Sequence, residues 1–194
     1  MTRRRAIAAV TALVAALLAQ TAGAMTVLPL DLPALTAGAG TIFVGRVTRV
    51  DAGIDERGIA AVWTTFAIEA TLKGATGPTL TLKQLGAPLG ASGTSGGVRP
   101  YPNSPRFAPG ESVMLFVHAP SALGFASPVG LGQGAFRIRD RDGRRVVAND
   151  VANRNLDAVS SGRAADAARG TAPSEHLPLD TLVARVRALV DAHP

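Results

Sequence analysis

The chain has 194 residues, enough for one domain of ordinary size. Hydrophobic residues make up 47% and charged residues 18%, too apolar for a wholly disordered chain and too interrupted for a polytopic membrane protein. Cys is absent, which excludes a disulfide scaffold, a thiolate metal site and a Cys nucleophile, and the net charge of +6 includes Arg3, Arg4 and Arg5 of a segment expected to be removed.

That segment, residues 1–24, reads as a secretory signal peptide. Arg3, Arg4 and Arg5 form its basic start, residues 6–18 form an uncharged apolar run, and Ala22-Gly23-Ala24 supplies a small-x-small cleavage site. The apolar run is short for a membrane span. With no Cys at the new N-terminus, lipid anchoring of the bacterial lipoprotein type is excluded. Arg outnumbers Lys, and Ala and Gly are abundant, a bias that goes with a GC-rich bacterial genome. The expectation is a periplasmic or secreted protein whose mature chain starts at Met25, with no stable membrane span after cleavage.

Residues 25–40 form a lead-in containing Pro and Leu. A strand is expected over residues 41–50. Val47 and Val50 break alternation with Ile42 and Val44, so a bulge is expected there. Residues 52–58 are polar with two Gly, a hairpin-type loop. Residues 62–72 have period two, with Val62, Phe66, Ile68, Ala70 and Leu72 on one face. Residues 79–85 alternate again. Residues 86–110, with six Gly and five Pro, show no apolar periodicity and read as one long loop. Residues 113–117 are uninterrupted apolar, as in a central strand covered on both faces. Residues 127–139 read as a Gly-punctuated strand whose phase flips at Gly134, as at a bulge or barrel corner. Asp142-Gly143 signals a tight hairpin turn.

Residues 151–175 are rich in Ala, Ser, Gly, Arg and Asp and lack aromatics. Near the C-terminus, Leu179, Leu182, Val183, Val186, Leu189 and Val190 form an amphipathic helical stripe, with Pro178 and Asp180 suited to its first turn. The organisation expected is a β-barrel domain over 25–150, a flexible linker over 151–176, and a helix over 177–194 that docks on the barrel. The strands follow one another without intervening helices, which excludes a parallel α/β fold. The fold class expected is mainly β: a small antiparallel OB-like barrel of five to six strands with a C-terminal amphipathic helix.

No catalytic set assembles from the sequence. Gly93-Thr94-Ser95-Gly96-Gly97 resembles the nucleophile surround of chymotrypsin-like serine proteases, but Thr94 replaces the Asp and no His in a suitable context precedes it. His118, His176 and His193 share no metal-ligand spacing. Asp51, Asp55 and Glu56 cluster in the first hairpin loop without matching a Ca²⁺ loop, and read as a solvated turn. No cofactor and no metal are expected. Arg137, Arg139, Arg141, Arg144 and Arg145 make a basic hairpin. Without aromatic interleaving, and in an exported protein, it argues against nucleic acid and for a solvated hairpin, or attraction to an anionic envelope surface or an acidic partner. The candidate contact surface is the long loop with Arg99, Tyr101, Arg106 and Phe107, since Tyr and Arg are enriched at interface hot spots.

Phe43-Val44-Gly45-Arg46-Val47, Phe66-Ala67-Ile68-Glu69, Leu72-Lys73-Gly74, Phe107-Ala108-Pro109-Gly110-Glu111 and Val113-Met114-Leu115-Phe116-Val117 occur in a running order that resembles netrin-like domains. That group includes the tissue inhibitors of metalloproteinases, and exported bacterial proteins of unassigned function share the order. The resemblance covers residues 41–148 and implies a five-stranded OB-type barrel with packed helices. The inhibitors of that family chelate zinc through an N-terminal Cys fixed by a disulfide. This chain has no Cys, so the resemblance carries the fold and not that mechanism. The function expected is a non-catalytic binding or interaction module of the bacterial envelope or exterior, with a protein partner or envelope ligand. The alternatives are an inhibitor or modulator of a secreted protease, and a hydrolase using Ser95 or His118.

Overall fold

The structure, a computed structural model, describes residues 28–88, 97–156 and 177–192. The expected signal peptide, Ser95, His176, His193 and linker residues 157–176 lie outside them.

The lead-in contains a helix, α1 (Leu32–Gly38). Asp31 caps it, its Oδ1 accepting from Ala34 N at 2.8 Å, and Leu32 and Leu35 are buried. Two 14-residue strands follow, β1 (Thr41–Ile54) and β2 (Ala60–Lys73), then β3 (Thr79–Pro88), β4 (Val98–Pro100) and β5 (Ser112–Val117). A single 3₁₀ turn (Leu131–Gly134) leads into β6 (Ala135–Arg141) and β7 (Arg144–Ala148). The two-residue β8 (Leu177–Pro178) precedes α2 (Leu179–Ala192).

The eight strands among the described residues belong to one antiparallel sheet in the order β4-β3-β2-β1-β5-β6-β7-β8. The mainly β antiparallel fold with a C-terminal amphipathic helix is therefore present, with eight strands in place of five or six. The sheet does not close strand to strand. Instead, residues 125–129 reach across the gap. Val117 bridges Pro128, Val129 N donates to Phe116 O at 2.8 Å, Lys83 bridges Phe125, and Ala126 N donates to Lys83 O at 2.9 Å.

Both faces of β1 and β5 are buried, because the sheet separates two apolar clusters. One face of β5 places Met114 and Phe116 with Ile42, Val44 and Phe136 against Leu32 and Leu35 of α1 and Leu182 and Val186 of α2. The other places Val113, Leu115 and Val117 with Phe43, Val47, Phe66 and Leu82. Covering Phe43, Phe66, Phe116 and Phe136 completely is worth about 1.5–3 kcal/mol each before entropy is counted. The continuous apolar run of β5 is thus the double-sided strand that its sequence indicates.

Register shifts explain the irregular patterns. On β1 a shift between Val47 and Arg49 leaves Thr48 extra, which puts Val47 and Val50 together in the second cluster. On β2 the shift opposite Val44/Gly45 leaves Glu69 extra. Ile68 therefore packs with the second cluster, whereas Ala70 and Leu72 pack with the first, correcting the single face expected for them. The phase flip near Gly134 is not a bulge in a long strand. It is the 3₁₀ turn, entered by Gly130 and Leu131 at positive φ, so β6 starts only at Ala135. Asp142 (φ 51°) and Gly143 (φ 73°) form the tight β6–β7 turn as read. The first residues of the expected linker are packed. Asn153, Asn155 and Leu156 are buried.

Candidate functional site

The segment read as one long loop is partly sheet. β3 continues to Pro88 and β4 pairs back on it with Gly86 opposite Pro100, Ala87 opposite Arg99 and Pro88 opposite Val98. Gly86 permits this. A Cβ there would collide with Val98 Cγ1 and lie 3.1 Å from the Ala60 carbonyl carbon.

The chain then turns at residues 101–104. Tyr101 N donates to Leu85 O at 3.2 Å, Ser104 N donates to Tyr101 O at 3.0 Å, and Asn103 takes φ 67°. Tyr101 is 51% exposed and Leu85 45% exposed, so the turn and the β3 residue bonded to it present two large apolar side chains to solvent. Arg99 is exposed on β4, one of the two terminal strands of the described sheet.

Arg106 and Phe107 do something else. Arg106 is exposed, but its carbonyl accepts from Arg137 Nη2 at 3.1 Å. Phe107 is half-buried, its ring edge-on to Phe66 at 5.6 Å, and Phe66 stacks in the same manner on Phe43 at 5.3 Å. Glu111 completes the anchorage. Its Oε2 accepts from Ala108 N at 3.0 Å and from Arg137 Nη1 at 3.2 Å, while Gly110 N and the Glu111 carbonyl bond the backbone of Val47. Phe107 thus pins the loop to the second apolar cluster. Of the four contact residues read from sequence, Arg99 and Tyr101 stand together at one corner, and Arg106 and Phe107 belong to the anchored return.

Sequence reading missed a second feature, next to this corner on β3. Asp55 is not a solvated turn carboxylate. Its side chain is fully covered and accepts from Arg57 N at 2.9 Å, Ile59 N at 2.8 Å and Lys83 Nζ at 2.8 Å. The Lys83 ammonium, then the Ile59 N–H, hold the Asp55 carboxyl below its ordinary value, with burial pulling the other way. Lys83 Nζ also lies 4.3 Å from the centroid of the Phe125 ring. Asp51 pairs with Arg49 at 2.6 Å in a solvent-exposed bridge. Among the described residues no three His or acidic side chains converge as a metal site. His118 is exposed just beyond β5, its N donating to Ser127 O at 3.1 Å. No helix among the described residues is long and apolar enough to cross a membrane.

Comparison with protein-family models, with curated proteins and with solved structures gave no match.

Proposed function

We propose that this chain is an exported, non-catalytic binding module that contacts a protein partner through the corner where β3, β4 and the 101–104 turn meet. The observation that carries this reading is the exposed Leu85–Tyr101 pair beside Arg99. An aromatic ring and an aliphatic side chain whose backbones are joined by a hydrogen bond at the end of β4 lose little conformational entropy when covered. Tyr and Arg are also the residue types that dominate interface energetics. The anchored return through Phe107 and Glu111 supports the reading, because it fixes the loop from below and leaves Arg106 facing outward. The signal-peptide pattern of residues 1–24 supports export.

The test is affinity capture from the host's envelope fraction and culture supernatant. Bait protein carries either the native corner or the substitutions Arg99→Ala, Tyr101→Ser and Arg106→Ala. A protein retained by the native bait and lost from the variant supports the reading. Identical capture by both baits, with both folded, overturns it.

A further inference from the structure

The β6–β7 hairpin carries a second surface, far from Tyr101 in the sheet order. Its register puts Arg137, Arg139 and Arg141 on one side of β6, with Arg144 directly opposite Arg141. The other side of the hairpin supplies Phe136 and Val147 to the apolar core. The Arg-bearing side opens into a groove of about 560 Å³ whose lining includes Arg137, Arg139, Arg141, Ala148, Asn149 and Asp150.

The hairpin's arginines divide into paired and unpaired. Arg137 holds Glu111 at 3.2 Å, and Arg145 holds Glu69 at 2.8 Å. Among the described residues Arg139, Arg141 and Arg144 have no acidic partner. Like charges facing each other in a ladder destabilise it, so the fold gains nothing from Arg141 opposite Arg144. The guanidinium is a planar fork matched to a carboxylate, and on the same strand Arg137 already holds one carboxylate oxygen of Glu111 through a single nitrogen. Arg139 and Arg141 repeat every second residue of a strand, about 6.7 Å apart. A peptide in the extended conformation repeats its own alternate side chains at the same spacing.

We propose that this groove binds an extended acidic peptide segment, with carboxylates on alternate residues meeting Arg139 and Arg141. The other anionic occupants fit less well. The groove's lining has no aromatic ring for a base to stack on, which single-stranded nucleic acid uses. Asp140 and Asp150 in the lining make the potential discontinuous. That arrangement suits discrete, spaced carboxylates and penalises a ligand charged at every unit. A recess between strand and turn also admits a single chain more readily than a flat lipid surface.

The experiment is fluorescence anisotropy of the full chain at low salt with two fluorescein-labelled octapeptides of equal charge. One alternates Glu and Ser; the other has its four Glu in one block. The alternating peptide is expected to bind several-fold tighter, and Arg139→Gln with Arg141→Gln to weaken it about tenfold or more. Arg187→Gln on α2 is expected to leave affinity unchanged. Thermal melting separates recognition from structure: the double variant is expected to melt no lower than the native chain, since it removes like-charge repulsion. Any of four results overturns the proposal: no peptide binding, equal affinity for the two peptides, undiminished binding by the double variant, or a lowered melting temperature in it. Tighter binding to phosphatidylglycerol vesicles or to an oligothymidine overturns it as well. None of these outcomes depends on the Tyr101 corner.

Discussion

Asp55 Oδ2 and Lys83 Nζ are 2.8 Å apart, the carboxylate side chain fully covered and the lysine side chain 14% exposed. The pair joins the β1–β2 turn to β3. Through Phe125, which lies under the ammonium, it also joins the segment that bridges β5 to β3. One ion pair therefore clasps three separate parts of the chain.

Breaking the clasp from one side leaves the other charge covered and short of a partner. Lys83→Met is expected to lower the melting temperature more than the double substitution Asp55→Asn with Lys83→Met, and a double-mutant cycle by thermal melting measures the difference. The pH dependence follows from the same carboxyl. Its folded-state value is depressed, so its contribution to stability is complete above the ordinary carboxylate range and is lost as pH falls through the folded value. Melting temperatures measured across the acidic range should therefore fall more steeply for the native chain than for Asp55→Asn.

Asn149 is a buried crosslink between the end of β7 and the following turn. Its Nδ2 donates to Gln133 O and to Asn155 Oδ1, both at 2.9 Å, and its Oδ1 accepts from Asn153 N at 2.8 Å. Asn149→Ala strands these groups without water and is expected to cost about 2 kcal/mol or more in urea denaturation. Asn149→Asp keeps the acceptor but sets a buried carboxylate oxygen against the Gln133 and Asn155 oxygens, and is expected to cost at least as much.

Gln84 presents the opposite situation. It is 2% exposed, and among the described residues its Nε2 has no hydrogen-bond partner. Gln84→Met keeps the shape and removes an unsatisfied donor, so stability is expected to rise by about 1 kcal/mol. A fall of similar size in urea denaturation would show that the amide is solvated in the folded state.

These particulars divide according to how far apart in the chain their causes lie. The β1–β2 hairpin, the double-sided β5, the Asp142-Gly143 turn and the apolar stripe of α2 are set by neighbours in sequence, and the sequence shows them. Arg99 and Tyr101 stand out by residue type and loop composition as candidates, and the structure adds that both are exposed. Asp55 reads as solvated because its partner Lys83 is 28 residues away, and the Phe125 ring against that ammonium is farther still. The β4 strand was hidden because three residues with a Pro have no readable period, and α1 because seven residues give barely two turns. Asp31 ahead of Leu32 and Pro33 was the one local sign of that helix.

Phe107 and Tyr101 sit six residues apart on one connection, and the structure gives them different work. Phe107 is half-buried on Phe66, so Phe107→Ala is expected to cost about 2 kcal/mol in urea denaturation, from lost aromatic contact and an incompletely filled space. Tyr101 is half-exposed, and it is tied down through its backbone N–H and carbonyl, which a substitution leaves in place, so Tyr101→Ser should change stability by no more than about 0.5 kcal/mol. Hydrogen exchange adds a spatial check. Phe107→Ala is expected to speed exchange at Gly110 N and Val47 N, whose bonds join the anchored return to β1, while Tyr101→Ser leaves both unchanged. If Tyr101→Ser instead destabilised the chain as much as Phe107→Ala, Tyr101 would be a structural residue, and its exposure would no longer argue for a contact surface.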